Sequence, residues 1–312
     1  DIARIYQEAD LVVPVGGGYI RSREGLMHRF NVPLLLHPLL FGFLLGKPTV
    51  LYAQSVGPFQ NKFEELLVAF VLKRMTRIML REDTSVALLA KLGITRTVVR
   101  AIDSGFLLGS NQKIDIRKKY SIPPNALLVG VTVRAWLKGE AQTRYEQAVA
   151  QALDDVIEKN NAHVIFIPQV TATKGDDDRV VSRRVRGLMQ HTKATTLIND
   201  TPDHHRIKSL YDSLDLLLGT RFHSVIFSLT SHVPVLAIEY EHKTSGIMRD
   251  LGLEQWVIKI EDVDSHTLAA HLSTLVEEAP AYRTYLAKSM PPYVRQARGA
   301  ATILKKSYEQ AV

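Results

Sequence analysis

Residues 212–243 read DSLDLLLGTRFHSVIFSLTSHVPVLAIEYEHK, and this stretch limits the fold more than any other. Asp215-Leu216-Leu217-Leu218-Gly219 is a short apolar run closed by glycine, the pattern of a strand buried on both faces. Thr220-Arg221-Phe222-His223-Ser224 stands where that strand gives way to a helix, and residues 225–231 supply the helix's apolar first half. Pro234 ends the pattern and Val235-Leu236-Ala237-Ile238 opens a second strand. A strand, helix and strand in this order make a parallel pair with a helical crossover. Ligands bind outside the carboxyl ends of such strands, so Arg221, His223, Glu241 and Lys243 are expected to converge there. Cations and an imidazole at a helix amino terminus suit an anion with a proton-transfer group beside it.

The same alternation runs along the chain. Strands are expected at 11–15, 48–53, 77–80, 98–102, 127–133, 163–168, 195–198 and 256–259. Helices are expected at 1–9, 31–45, 63–75, 145–159, 179–190, 204–214, 244–251, 265–278 and 282–310, and one more runs from Asp83-Thr84-Ser85 to Leu92-Gly93. The first should pack through Ile2, Ile5, Tyr6 and Ala9, and the helix at 63–75 through Phe63, Leu66, Leu67, Phe70, Val71 and Met75. A polar, basic segment at 109–124 marks a domain boundary. The reading is therefore an amino-terminal domain over 1–115, a carboxyl-terminal domain over 116–285 and a helical segment over 286–312 that crosses back to the first domain.

Of the 312 residues, 46% are hydrophobic and 23% charged, an ordinary soluble composition, and no cysteine excludes disulfides, thiolate nucleophiles and cysteine-bound zinc. A net charge of +7 either favours acidic partners, such as a phosphorylated substrate, a diphosphate-linked lipid or an anionic membrane face, or is only a solvated basic surface. The basic cluster Arg183-Arg184-Val185-Arg186 has no interleaved aromatic residue, which argues against nucleic acid. The apolar run at 34–45 holds His37 and Pro38 and falls short of the ~20 residues a membrane span needs, so it reads as a buried helix. The expected location is cytoplasmic, with peripheral contact at the inner membrane face.

Other strand ends carry candidates. Gly16-Gly17-Gly18 follows a strand, where backbone amides can approach a ligand, or where the chain needs only a tight connection. Without a full dinucleotide fingerprint, the run does not point to NAD. Gln169, Glu241 and Asp103 lie at the rim without an assigned role. Asp176-Asp177-Asp178 reads as a solvated helix start rather than a metal site. His204, His205 and His232 read as structural or exposed.

The run from Gly219 to Leu253 resembles the carboxyl-terminal signature of the polysaccharide pyruvyl transferase family. So do Ala9-Asp10-Leu11-Val12 through Gly18, Ser55-Val56-Gly57-Pro58, Arg81-Glu82-Asp83-Thr84-Ser85, Gly130-Val131-Thr132-Val133-Arg134 and Phe166-Ile167-Pro168-Gln169. The resemblance implies transfer of the enolpyruvyl unit of phosphoenolpyruvate to a sugar, free or lipid-linked, and closure to a cyclic ketal. It implies no cofactor beyond this donor. It supports His223 and Lys243 as functional and adds Arg81 and Arg134 as anion contacts. Arg221 joins His223 as a catalytic candidate, and histidine, which titrates near neutrality as a residue type, suits general acid or base work. Family members usually begin with a glycine- and asparagine-rich strand–loop unit, which is not found here.

The expected fold is α/β: two Rossmann-like domains with parallel sheets facing a central cleft, the GT-B-like architecture. Two alternatives stay open. One is a glycosyltransferase of this architecture using a nucleotide sugar; the other is a non-catalytic protein that keeps the fold. A nucleoside diphosphate should bind to the first and phosphoenolpyruvate to a pyruvyl transferase.

Overall fold

Apolar runs of three to six residues, separated by amphipathic helices, build two parallel sheets. The structure is a computed structural model and describes residues 2–15, 17–18, 20–22, 31–109, 113–171 and 177–310. The chain forms two units, Asp1–Leu107 with Pro292–Val312, and Leu108–Pro291. The chain passes between them after Leu107 and after Pro291, whereas the sequence reading puts the boundaries after residues 115 and 285.

The first unit contains α1 (Ile2–Glu8), α2 (Asn31–Leu44), β1 (Val50–Gln54), α3 (Lys62–Leu72), β2 (Arg77–Leu80), α4 (Asp83–Lys91) and β3 (Val98–Arg100). Among the described residues its sheet is β1-β2-β3, all parallel. Among the described residues, Val12, Val15 and Ile20 form isolated parallel bridges with Thr49, Tyr52 and Val56. The strand expected at 11–15 is thus irregular; Pro14 has no N–H to donate to a ladder. One face of the sheet packs on Leu36, Leu39, Val68 and Leu72. On the other, Val50, Ala53, Met79 and Ala101 meet Ala300, Ile303 and Leu304.

Two helix faces differ from the expectation. Ile2 and Ile5 of α1 are exposed. In and just after α3 the expected Val71 and Met75 are buried and Leu67 packs on the core, joined by Val68, Ala69 and Leu72, while Phe63, Leu66 and Phe70 are 69%, 70% and 49% exposed. Both sets have helical spacing, so periodicity alone does not say which stripe faces inward. The exposed stripe continues through Lys73 and Arg74, and the Arg74 guanidinium lies 3.6 Å over the Phe70 ring and 5.5 Å over Phe43.

The second unit contains α5 (Ile116–Lys119), β4 (Leu127–Thr132), α6 (Gly139–Asn160), β5 (Ala162–Phe166), α7 (Asp178–Leu188), β6 (Thr195–Leu197), α8 (His204–Asp212), β7 (Leu216–Gly219), α9 (Phe222–Thr230), β8 (Val235–Glu239), α10 (Lys243–Asp250) and β9 (Val257–Lys259). Its parallel sheet has the order β6-β5-β4-β7-β8-β9, the doubly wound Rossmann order. Thr132 is level with Gly219, and Gly219 with Ala237, so the carboxyl ends of β4, β7 and β8 share one edge. The last helix, α11 (Ser265–Glu309), is continuous through Pro280, Pro291 and Pro292. Buried Leu275, Ala279, Tyr282, Leu286 and Met290 keep helical spacing across Pro280, and that packing outweighs the break expected there.

Candidate active site

In the second unit the chain leaves β4 toward β5 on one side and leaves β7 toward β8 on the other. The crevice at such a reversal is where open α/β sheets take ligands. Gly219 allows the turn after β7: a Cβ there would stand 2.8 Å from Leu217 Cδ2 and 3.1 Å from Val225 Cγ2. The Thr132 hydroxyl accepts from the backbone N–H of Thr220 at 2.9 Å and of Arg221 at 3.2 Å, and pairs with Ser224 Oγ at 2.9 Å. Tyr145 Oη lies 3.0 Å from Thr220 Oγ1, and burial pushes that phenol well up, so it stays a neutral hydroxyl. These bonds start α9 at Phe222 and place His223, exposed, on its first turn. The imidazole is stacked 5.9 Å from Phe227 and meets Phe222 edge-on at 5.4 Å.

The structure corrects the place given to Arg221. Its side chain is 8% exposed, and its Nε lies 3.0 and 3.1 Å from the two carboxylate oxygens of Asp178. The same carboxylate accepts the backbone N–H groups of Gln169 at 2.9 Å and Val170 at 3.0 Å. Arg221 therefore ties the turn after β7 to the loop after β5 and the start of α7, rather than presenting its charge to a reacting group. This also corrects the solvated reading of the acidic run. Asp178 is buried, and Asp177 caps α7, accepting from Arg179 N at 2.9 Å. Hydrogen bonding from the Arg179 side chain holds the Asp177 carboxyl below its ordinary range. Asp176 lies outside the described residues.

Arg134 and Lys243 sit differently. The half-buried Arg134 guanidinium, just past β4, lies 4.3 Å from the Tyr240 ring and 4.9 Å from Trp136. Those two rings are 4.9 Å apart. Lys243 Nζ, at the start of α10, lies 5.4 Å from the Phe222 ring and 5.7 Å from Tyr240, and 2.7 Å from Glu241 Oε2. A ring face orients a cation without cancelling its charge. Phe222 and Tyr240 thereby join the ends of β4, β7 and β8 into one group holding Arg134, Lys243 and the His223 turn. Sequence reasoning missed Trp136, Phe222 and Tyr240. The signal was an aromatic residue within three positions of a basic one at each strand end: Trp136 near Arg134, Phe222 beside Arg221 and Tyr240 near Lys243.

Gln169 is anchored near the same edge, its Nε2 donating to Tyr211 Oη at 2.8 Å. The remaining candidates lie in the first unit. Arg81, expected to meet an anion, has a side chain 3% exposed; its Nη1 is paired with the Asp103 carboxylate and its Nε donates to Ser55 Oγ at 2.8 Å. Its charge is matched inside the unit by Asp103. Gly18 passes close to this group: a Cβ there would stand 3.1 Å from Ser55 Cβ. The Gly17 carbonyl accepts from Ser55 N at 3.2 Å. Gly16 lies outside the described residues.

The basic cluster at 183–186 is bonded within the second unit: Arg184 to Glu146, Arg186 to Thr195 Oγ1 at 2.7 Å and Arg183 to Asn199 Oδ1 at 3.3 Å. Among the described residues, no group of three or more His, Asp or Glu side chains could hold a metal ion, and no helix is long and apolar enough to cross a membrane.

The chain is 26% identical over 290 residues to the amylovoran biosynthesis protein AmsJ of Erwinia amylovora, covering 87% of this chain and 66% of that protein's length. Among solved structures it resembles a putative UDP-N-acetylglucosamine 2-epimerase from Listeria monocytogenes, with TM-score 0.66 and 13% identity over 100% of this chain and 79% of that one. It also resembles HepE from Anabaena in complex with UDP-glucose, with TM-score 0.62 and 14% identity over 98% and 81%. At such identities the likeness is one of fold, and that fold is GT-B-like. The profile of the polysaccharide pyruvyl transferase family matches residues 1–242, and the chain belongs to that family.

Proposed function

We propose that this protein transfers the enolpyruvyl group of phosphoenolpyruvate to a sugar of a cell-surface polysaccharide or its lipid-linked precursor, forming a pyruvate ketal. One observation carries the reading: an exposed imidazole at the end of β7, flanked by Arg134 and Lys243 at the ends of β4 and β8 and joined to them through Phe222 and Tyr240. Family membership supports the group transferred, and AmsJ, a protein of amylovoran biosynthesis, supports a polysaccharide context.

In this scheme Arg134 and Lys243 grip the phosphate and carboxylate of the donor. A proton reaches C3 of the alkene, and C2 becomes an oxocarbenium-like centre. One sugar hydroxyl adds to C2 and releases its proton. The C2–O bond to phosphate then breaks, its electron pair leaving with inorganic phosphate. A second hydroxyl closes the ring and releases its proton. Of the two hydroxyl protons, one replaces that delivered to C3 and the other leaves with phosphate, so the sum balances. His223 moves these protons as general acid and base. Arg221, through Asp178, holds the turn that carries His223.

The glycosyltransferase alternative draws on the fold shared with HepE, whose structure contains UDP-glucose. Labelled phosphoenolpyruvate supplied with a panel of free and lipid-linked sugars separates the two. The proposal expects label in an acid-labile ketal and one phosphate released per transfer. Absence of transfer, with calorimetric binding of UDP-glucose instead of phosphoenolpyruvate, would replace it; binding of neither would favour a protein that keeps only the fold.

We further propose that the exposed stripe on α3 meets an anionic membrane face, where a lipid-linked acceptor would lie. Phe63, Leu66 and Phe70 supply apolar area, and Lys62, Lys73 and Arg74 the matching charge.

A further inference from the structure

A cavity of about 300 Å³ lies past the carboxyl ends of β5 and β6, with Phe227 of α9 in its wall. Gln169, Thr171, Thr201 and His204 give it polar groups, and Ile207 and Phe227 an apolar wall. The described residues that line it include no Asp, Glu, Lys or Arg. From this we infer that the cavity is the subsite for an uncharged hexopyranose, the acceptor of the transfer proposed above, on which this inference rests.

Three observations carry it. The two groups differ in charge: Arg134 and Lys243 lie over aromatic rings in one, and the described lining of the cavity has hydrogen-bonding groups without Asp, Glu, Lys or Arg. A multiply charged donor fits the first, and a polyol, with hydroxyls that donate and accept around an apolar ring face, fits the second. Next, the cavity adjoins the proton-transfer group directly. Phe227 lines it, and the His223 ring is stacked on Phe227 at 5.9 Å with 20° between the planes. A sugar hydroxyl at the cavity's edge is thus within one ring of the imidazole. Last, the walls are fixed by buried contacts. Tyr211 packs edge-on against Phe227 at 5.6 Å and accepts from Gln169 Nε2 at 2.8 Å. The Thr171 and Thr201 hydroxyls lie 3.4 Å apart, so both can address neighbouring hydroxyls of one ring. The ketal requires two hydroxyls of the same sugar, so a site that fixes the ring's orientation also decides which pair reacts.

The test uses methyl α-D-gluco-, galacto- and mannopyranoside as probes. Ile207→Trp fills the cavity, and Thr201→Val removes one hydroxyl with little change in volume. Saturation-transfer NMR should detect at least one of the sugars on the wild type and lose it in Ile207→Trp. In turnover, the acceptor KM should rise about tenfold or more in Ile207→Trp and about three- to tenfold in Thr201→Val. The phosphoenolpyruvate Kd should stay within about twofold in both. If Ile207→Trp fails to fold, Thr201→Val carries the test. A wild type without sugar contact, or sugar contact and acceptor KM unchanged by every variant that folds, would overturn the subsite. A wild type that binds sugar at this cavity but never binds phosphoenolpyruvate would instead overturn the donor assignment and leave the subsite standing.

Discussion

Each unit has a buried arginine–aspartate pair where its strands end: Arg81 with Asp103 in the first, Arg221 with Asp178 in the second. The pairs do the same mechanical work, tying a strand-end turn to a distant segment. Around them the units differ. The Arg81 pair is packed with Ser55 and Gly18, which offer small neutral groups. The Arg221 pair supports an exposed histidine with Arg134 and Lys243 on neighbouring strand ends. An arginine at the carboxyl end of a strand is therefore not by itself a ligand contact. What separates the two kinds is burial: Arg81 and Arg221 are closed in with a carboxylate, whereas Arg134 is half-buried over the Tyr240 and Trp136 rings.

Variants in the two units test this contrast. The largest effect is expected for His223→Ala, which should lower pyruvyl transfer about 10²–10⁴-fold. Its thermal unfolding should match the wild type, since the side chain is exposed. A large loss of stability would make His223 a structural residue and erase the distinction. Next come Asp103→Ala and Asp178→Ala, each leaving a buried guanidinium without its carboxylate. Each should cost about 3–5 kcal/mol in urea unfolding. A loss in only one unit would show that the two pairs are not equivalent.

Lys243→Ala should raise the phosphoenolpyruvate KM by about ten- to a hundredfold with a smaller change in kcat. A change confined to kcat would move Lys243 from binding to chemistry. The smallest effect belongs to the first unit's exposed face. The triple change Phe63→Ser, Leu66→Ser and Phe70→Ser should weaken sedimentation with phosphatidylglycerol vesicles by about tenfold and leave transfer to a free sugar unaltered. Equal sedimentation of both proteins would remove the membrane role of α3.

The architecture was legible because its signals are local. The Leu216-Leu217-Leu218-Gly219 run and its neighbours state a buried parallel sheet, and the strand-end positions of His223, Arg134 and Lys243 follow from it. What escaped the sequence is non-local. Asp103 lies 22 residues from Arg81 and Asp178 lies 43 from Arg221, and no spacing rule connects either pair. The α3 face was half legible for a related reason: Leu67, Val71 and Met75 pack inward as expected, and Phe63, Leu66 and Phe70 do not. Phe63, Leu66 and Phe70 repeat as regularly as Val68, Val71 and Leu72, and only the packing of the sheet chooses between them. The aromatic rings that hold the cations were overlooked because Phe222 and Tyr240 read equally well as ordinary core residues.

In the proposed scheme the second unit's cations, and not Arg81, hold the donor. Calorimetric titration of phosphoenolpyruvate into the wild type, Arg134→Gln, Lys243→Gln and Arg81→Lys tests it most directly. The account predicts binding at least about tenfold weaker in each of the two glutamine variants and unchanged in Arg81→Lys. Wild-type affinity in both glutamine variants, with binding lost in Arg81→Lys, would contradict it.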